Sequence, residues 1–266
     1  EGGFYVNRYE MDKERENFRT ILKKMFSITE DAASNEEIRD RILSGGKITG
    51  TNMVVMICAI LIASVGLNTN SIAVIIGAML ISPLMGSILA ISYGTVSNDA
   101  YLIKRHSFGF TVQIVMSVVT ATIYFLLSPV KEPTEQLLAR TNPNFFDVII
   151  AISGGVAGIV GQTRKDKSNN IIPGVAIATA LMPPLCTCGY ALANGEFRML
   201  LGAFYLFIIN AYFIYIASDV MLTLLGTPRI KAMSAAEWKR ARKKMHRNTI
   251  LVLLPIILIA IGWNIW

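Results

Sequence analysis

Charge is what this sequence has little of. Only 16% of its 266 residues are Asp, Glu, Lys or Arg, against roughly a quarter in soluble domains. Histidine occurs twice, at His106 and His246, and both read as lying in loops between apolar runs. The apolar runs hold no lysine, no histidine and no pair of carboxylates; Asp147 and Asp219 fall near run ends. Their serines and threonines have no histidine within sequence reach, so no activated nucleophile is visible. These absences speak against an intramembrane hydrolase or an enzyme acting on lipid, and the chain is read as a non-enzyme. They also speak against proton coupling through an ionisable group at depth. Cys58, Cys186 and Cys188 all sit inside apolar runs with no histidine or carboxylate beside them. They read as small buried residues, and neither a metal nor a cofactor is expected.

What is there is hydrophobic length. Hydrophobic residues make up 53% of the chain, in stretches long enough to cross a bilayer. Seven spans are expected, at about 51–67, 71–94, 108–128, 145–161, 171–194, 198–222 and 249–266. The fold class is therefore all-α, a polytopic membrane protein of about seven transmembrane helices. Four segments divide it: an amphipathic cytosolic arm at 1–48, a transmembrane core at 49–226, a basic amphipathic linker helix at 227–248, and a final transmembrane helix at 249–266. In the arm, Phe18, Ile21, Leu22, Met25 and Phe26 recur at helical spacing. Ser34 with Glu37 forms a capping box that starts a short helix at 35–43, and Gly45-Gly46 ends it. The first 48 residues are polar and mixed in charge, so no cleavable signal peptide is expected. The chain starts at Glu1 rather than Met, which suggests a natural amino terminus further upstream.

Basic residues fix the expected orientation. With the amino terminus in the cytosol, 22 of the 25 Lys and Arg fall on the inner side, and only Lys131, Arg140 and Arg198 fall outside. An odd span number then places the carboxyl terminus outside, with Trp263 and Trp266 at the outer interface. The net charge of +7 belongs to residues flanking spans, so anionic lipid of the inner leaflet is the expected partner and nucleic acid is not. Trp238, Lys239, Arg240, Arg242, Lys243 and Lys244 are the candidate lipid contacts, on a helix that Ser234 and Glu237 would cap.

Two proline interruptions lie 100 residues apart, Ser82-Pro83 in the second span and Met182-Pro183-Pro184 in the fifth. Superposed without a gap, Asn70 meets Asn170, Ile72 meets Ile172, Ala78 meets Ala178 and Pro83 meets Pro183. Proline removes a backbone hydrogen bond and crowds the preceding turn, and in hydrocarbon the freed carbonyls need protein or a water-lined cavity. Spans one to three and four to six are thus read as two inverted repeats, 49–128 and 145–222. Their proline-broken second helices run antiparallel, and the C-terminal helix is an extra.

The expected function is a secondary transporter or channel-like permease for a small solute or ion, bound at the bilayer midplane. Ser82, Pro83, Gly86, Thr179, Pro183 and Pro184 are the candidate binding residues: prolines hold the breaks open, hydroxyls and exposed backbone dipoles meet the solute. Glu135 and Arg140 outside, and Arg164, Lys165, Asn169 and Asn170 inside, are candidate loop or gating residues. The rival reading is a non-transporting scaffold or sensor that binds lipid or a partner through its basic amphipathic segments. Glycine faces such as Gly154-x-x-x-Gly158 would then drive homo-oligomerisation. Gln113 and Asn210, lone amides in spans three and six, are expected to hydrogen-bond between helices.

Four stretches carry a resemblance: VIIGAMLISPLMG at 74–86, EQLLART at 135–141, GGVAG at 154–158 and IPGVAIATALMPPLC at 172–186. Together they resemble the prokaryotic "uncharacterised hydrophobic domain" family, domain of unknown function three-eight-nine, over roughly residues 38–223. The resemblance implies a bacterial or archaeal cytoplasmic-membrane protein. It implies no substrate.

Overall fold

The computed structural model describes residues 32–164 and 171–230, with backbone alone for 171–180. Thr20, Ser234, Glu237, Lys239, Arg240, Lys243, Met245 and 247–254 are also described. Most of the predicted arm, and residues 255–266 of the predicted last span, lie outside the described residues.

Nine helices lie among the described residues between 32 and 230: α1 Asn35–Gly45, α2 Gly50–Asn68, α3 Ile72–Ile81, α4 Leu84–Val96, α5 Ala100–Leu127, α6 Glu135–Leu138, α7 Phe145–Thr163, α8 Ile171–Asn194 and α9 Phe197–Leu224. Among these residues the β-structure is one isolated antiparallel bridge, Ala32 to Arg164. Four helices, α2, α5, α7 and α9, are long and apolar enough to cross a membrane, and the bent pair α3–α4 makes a fifth. The expected seventh span is helical as far as Leu254.

Local chemistry sets the helix ends. Ser34 caps α1 by accepting from the Glu37 amide at 3.3 Å. Asn144 and Asp147 close a reciprocal capping box on α7. Asn70 and Asn98 take left-handed backbone at φ 54° and 56°, just beyond α2 and α4. There the Ser71 and Asp99 amides reach back to the carbonyls of Gly66 and Gly94, as in a Schellman stop. The asparagine that opens the predicted second span is thus the terminator of the first. At the far end of α5, Lys131 reaches back with its ammonium to the carbonyls of Phe125 (2.7 Å) and Leu126 (3.1 Å). It satisfies acceptors that the helix leaves open.

One boundary differs from expectation in a way that matters. The third span begins at Ala100, not near 108, because Asp99 caps it by accepting from the Tyr101 and Leu102 amides. His106 is therefore not in a loop. It lies inside α5, buried, with Nδ1 3.1 Å from the Gly46 carbonyl.

The helix at the centre is α8. It packs against α2, α3, α4, α5, α7 and α9, and every residue from 181 to 191 is buried. Gly189 makes the approach to α5 possible: a Cβ there would lie 2.4 Å from the Ala121 Cβ and 2.8 Å from the Thr122 nitrogen. One turn of α5 further on, Phe125 and Tyr190 meet edge to face at 5.1 Å. The Tyr190 hydroxyl donates to the Lys131 carbonyl at 2.5 Å. By contrast α3 turns Ile72, Val74, Ile76, Leu80 and Ile81 outward and buries Ile75, Ala78 and Met79.

Candidate functional site

Ser82 and Pro83 separate α3 from α4, and the two helix axes differ by 47°. The residue before a proline is pushed out of helical conformation, and Ser82 has extended backbone at φ −74°, ψ 129°. Its hydroxyl receives a long 3.5 Å contact from the Leu84 amide, and Ser82 and Pro83 are half-buried. The predicted break is real here.

At the second proline pair the structure departs from expectation. Pro183 and Pro184 lie within an uninterrupted α8, fully buried. Neither proline can donate, so the carbonyls of Thr179 and Ala180 lose their intrahelical partner. The helical path survives because six helices pack around α8 and bury every residue from 181 to 191. The Thr187 hydroxyl returns to the Pro183 carbonyl at 3.0 Å. The side chain of Thr179 lies outside the described residues.

The two proline sites lie at one depth. Ile75 of α3 lies level with Gly66 of α2, where a Cβ would meet its nitrogen at 2.9 Å. Pro83 is eight residues further along, about 12 Å at 1.5 Å per residue. That brings it level with Cys58, near the middle of α2. On the other side, Cys186 lies at the Ile60 carbonyl, 4.0 Å away, and Pro183 precedes it by one turn, near the same level. The helices carrying the two sites, α3 and α8, are in contact.

Polar groups gather round this level. The Ser87 hydroxyl donates to Gln113 Oε1 at 2.9 Å, joining α4 to α5 as expected of that amide. Ser117 donates to the Gln113 carbonyl at 2.7 Å and lies 3.7 Å from the Met56 sulfur. Asn210 is buried in α9. Lower on α4, Ser92 approaches the Tyr215 carbonyl at 3.5 Å, and the Tyr215 hydroxyl meets Thr95 at 3.2 Å.

Gly86, predicted to face the solute, faces protein instead. A Cβ on it would lie 2.0 Å from the Gly45 carbonyl oxygen and 2.3 Å from its carbon. The end of α1 is seated directly on it. A sequence separation of 41 residues hid this contact; only the Gly45-Gly46 pair hinted at a close approach.

The loop candidates divide. Glu135 is exposed in α6 and forms no ion pair with Arg140. Burial lowers the pKa of the Arg140 guanidinium, and the Asp147 carboxylate opposes that shift. Arg140 Nε is buried without a hydrogen-bond acceptor. Residues 134–141 form a cap on the end of the bundle away from α1: Thr134 donates to the Leu67 carbonyl at 2.6 Å, and the Thr141 carbonyl packs on Gly202. On the opposite face, the Arg164 carbonyl accepts from the Arg41 guanidinium. Lys165, Asn169 and Asn170 lie outside the described residues, as do Trp238, Arg242 and Lys244. Lys239, Arg240 and Lys243 are helical and exposed. Beyond them, Tyr212 and Tyr205 of α9 hold the next turns, the first at Thr249 Oγ1 (2.9 Å) and the second donating to the Val252 carbonyl (2.6 Å).

The chain is similar to an uncharacterised protein of Methanocaldococcus jannaschii. The two are 25% identical over 252 residues, covering 95% of this chain and 72% of the relative. No solved structure matches it. The family described as domain of unknown function (DUF389) matches residues 79–216, a stretch that contains both proline sites. On that match, over half its length, the chain belongs to the DUF389 family.

Proposed function

We propose that the chain is a permease, a secondary transporter or channel-like protein, that takes a small solute or ion at the level of the α3–α4 break. The observation that carries this reading is the 47° break at Ser82-Pro83, level with the buried proline pair of the central helix. A broken helix in contact with a helix that has lost two backbone donors offers amide and carbonyl dipoles where neither carries a side-chain charge. Ser82 and Thr179 supply hydroxyls, and Pro83, Pro183 and Pro184 keep the backbone groups free.

The neighbour relations support two inverted triplets, α2–α5 and α7–α9. The contact of α2 with α3 has its counterpart in α7 with α8, that of α4 with α5 in α8 with α9, and that of α5 with α8 in α9 with α4. Transport would then proceed by one triplet rocking against the other in a cytoplasmic membrane, with the basic loops inside. Exposed Lys239, Arg240 and Lys243 would hold anionic headgroups, and Arg140 would sit at the outer mouth.

The test is ion and solute flux across proteoliposomes, comparing the native chain with Ser82→Ala and Pro83→Ala. Flux that falls at least tenfold in both variants supports the site. Flux that is absent throughout, with no solute density at Ser82 in a lipid-embedded structure, refutes it. The second reading, a scaffold or sensor, is favoured by one observation: Pro183, Pro184 and Gly86 are all closed in by packed protein. Copurification of a stoichiometric partner with a flux-silent protein would establish it.

A further inference from the structure

The segment 32–48, which is α1 with its two flanks, touches both halves of the bundle. Towards the first triplet, the Gly45-Gly46 turn enters a notch in α4 and α5. A Cβ on Gly46 would lie 2.7 Å from the Ala90 Cβ, 2.9 Å from the Gly86 carbonyl oxygen and 3.0 Å from His106 Nδ1. The His106 ring meets the Gly46 carbonyl at 3.1 Å. Ile48 follows into a second notch, where a Cβ on Gly109 would meet its Cδ1 at 2.1 Å. Towards the second triplet, the same segment forms a short antiparallel contact with the end of α7. The Ala33 amide donates to the Thr163 carbonyl at 2.7 Å, and Ala32 is bridged to Arg164. Arg41 donates to the carbonyls of Gln162 and Arg164, and Glu37 holds its guanidinium at 2.5 Å. Ile38 and Ile42 are buried beneath α1.

We infer that residues 32–48 are the inner gate of the permease: the Gly45-Gly46 turn plugs the approach to the α3–α4 break from the basic face, and the 32–41 contact latches it to the other triplet. The inference rests on the permease reading and deepens it. Gly86 lies three residues past Pro83, so whatever sits on Gly86 stands between the break and the basic side. A segment fastened to both triplets also resists their relative motion. The joint is small: the bridge at Ala32, the hydrogen bonds from Ala33 and Arg41 and two buried isoleucines can separate without unfolding the bundle.

The experiment reads the accessibility of Ser82→Cys in the full chain, with the exposed Cys58 replaced by Ala. Inside-out vesicles are treated with a permanently charged methanethiosulfonate, and mass spectrometry follows the residue-82 peptide. Gly46→Val, whose side chain cannot fit the notch, is expected to raise the labelling rate at least tenfold. Proteolysis after Lys47 confirms the turn has moved. Ala32→Cys with Arg164→Cys gives the opposite perturbation, since bridged antiparallel residues stand within disulfide reach. That cross-link is expected to slow labelling at least tenfold until it is reduced, and it keeps the test decisive if Gly46→Val does not fold. Fast labelling that ignores both changes overturns the plug and leaves the permease standing. A residue 82 unreactive from both faces, even with the turn displaced, overturns both.

Discussion

Alanine at Gly86 and alanine at Gly109 test the seating of the first chain segment on the bundle. Each adds one methyl group, and each new Cβ collides with residues 45–48. The obstacles differ in kind. At Gly86 the Cβ would stand 2.0 Å from a backbone carbonyl oxygen and 2.3 Å from its carbon. Backbone held by α1 and by His106 cannot swing aside, so the turn must lift. At Gly109 the obstacle is the Cδ1 of Ile48 at 2.1 Å, the free end of a side chain with other rotamers. Overpacking that the neighbours cannot absorb costs about 1–3 kcal/mol; a rotamer change costs about 1 kcal/mol or less. With about 2–4 °C of melting shift per kcal/mol in a domain of this size, Gly86→Ala is expected to melt roughly 2–12 °C lower than the native chain in detergent. Gly109→Ala should fall by no more than about 4 °C. If α1 detaches instead of dragging the bundle with it, the melting shift shrinks and protease sensitivity at Arg41 and Lys47 rises in Gly86→Ala alone. Equal behaviour of the two variants, in melting and in proteolysis, would refute the reasoning.

Other changes have expectations of the same kind. Gly189→Val should lower the melting temperature more than any glycine change on the outer helix faces, because its Cβ meets Ala121 and the Thr122 nitrogen on α5. Ser87→Ala leaves Gln113 Oε1 buried without its donor and should cost about 1–3 kcal/mol, read as a shift in chemical unfolding. Asn144→Ala removes the α7 capping box and should cost about 1 kcal/mol, with hydrogen exchange rising first at Phe146 and Asp147. Glu237 accepts from the Ser234 amide and hydroxyl, both at 2.8 Å, and these bonds hold its carboxyl below its ordinary value. The sign follows: order at the start of the basic helix is present above the ordinary glutamate range and is lost as pH falls through the depressed folded value. Amide exchange at Glu237 against pH checks this, and Glu237→Gln should flatten the profile.

The first break was legible because its cause is local. A serine before a proline, in a helix with one face open to the outside, yields to the steric rule that disfavours helix before proline. The second proline pair obeys the same rule, yet no break forms, since α8 is enclosed by six helices and packing keeps its path. No sequence window reports that enclosure. Gln113 was legible as an interhelical donor or acceptor because a lone amide in an apolar run must find a partner. His106 was misplaced because its partner is a carbonyl 60 residues away, and Gly86 because its neighbour is backbone from another segment. Asn70 was seen as a repeat marker, and its left-handed backbone shows the plainer role of ending α2.

The enclosure of α8 has a consequence for how the chain is made. Five of its neighbours, α2, α3, α4, α5 and α7, leave the ribosome before it, but α9 leaves after it. A helix with two internal prolines, and two carbonyls without their usual intrahelical donor, is a poor candidate for a stable life alone in lipid. It must wait for the 28 residues of α9 to be synthesised before its last face is covered. At about 5–20 residues per second, that interval is roughly 1.5–6 s. During those seconds the insertion machinery, or the half-built bundle of α2 to α7, has to shelter a helix whose residues 181–191 all end buried.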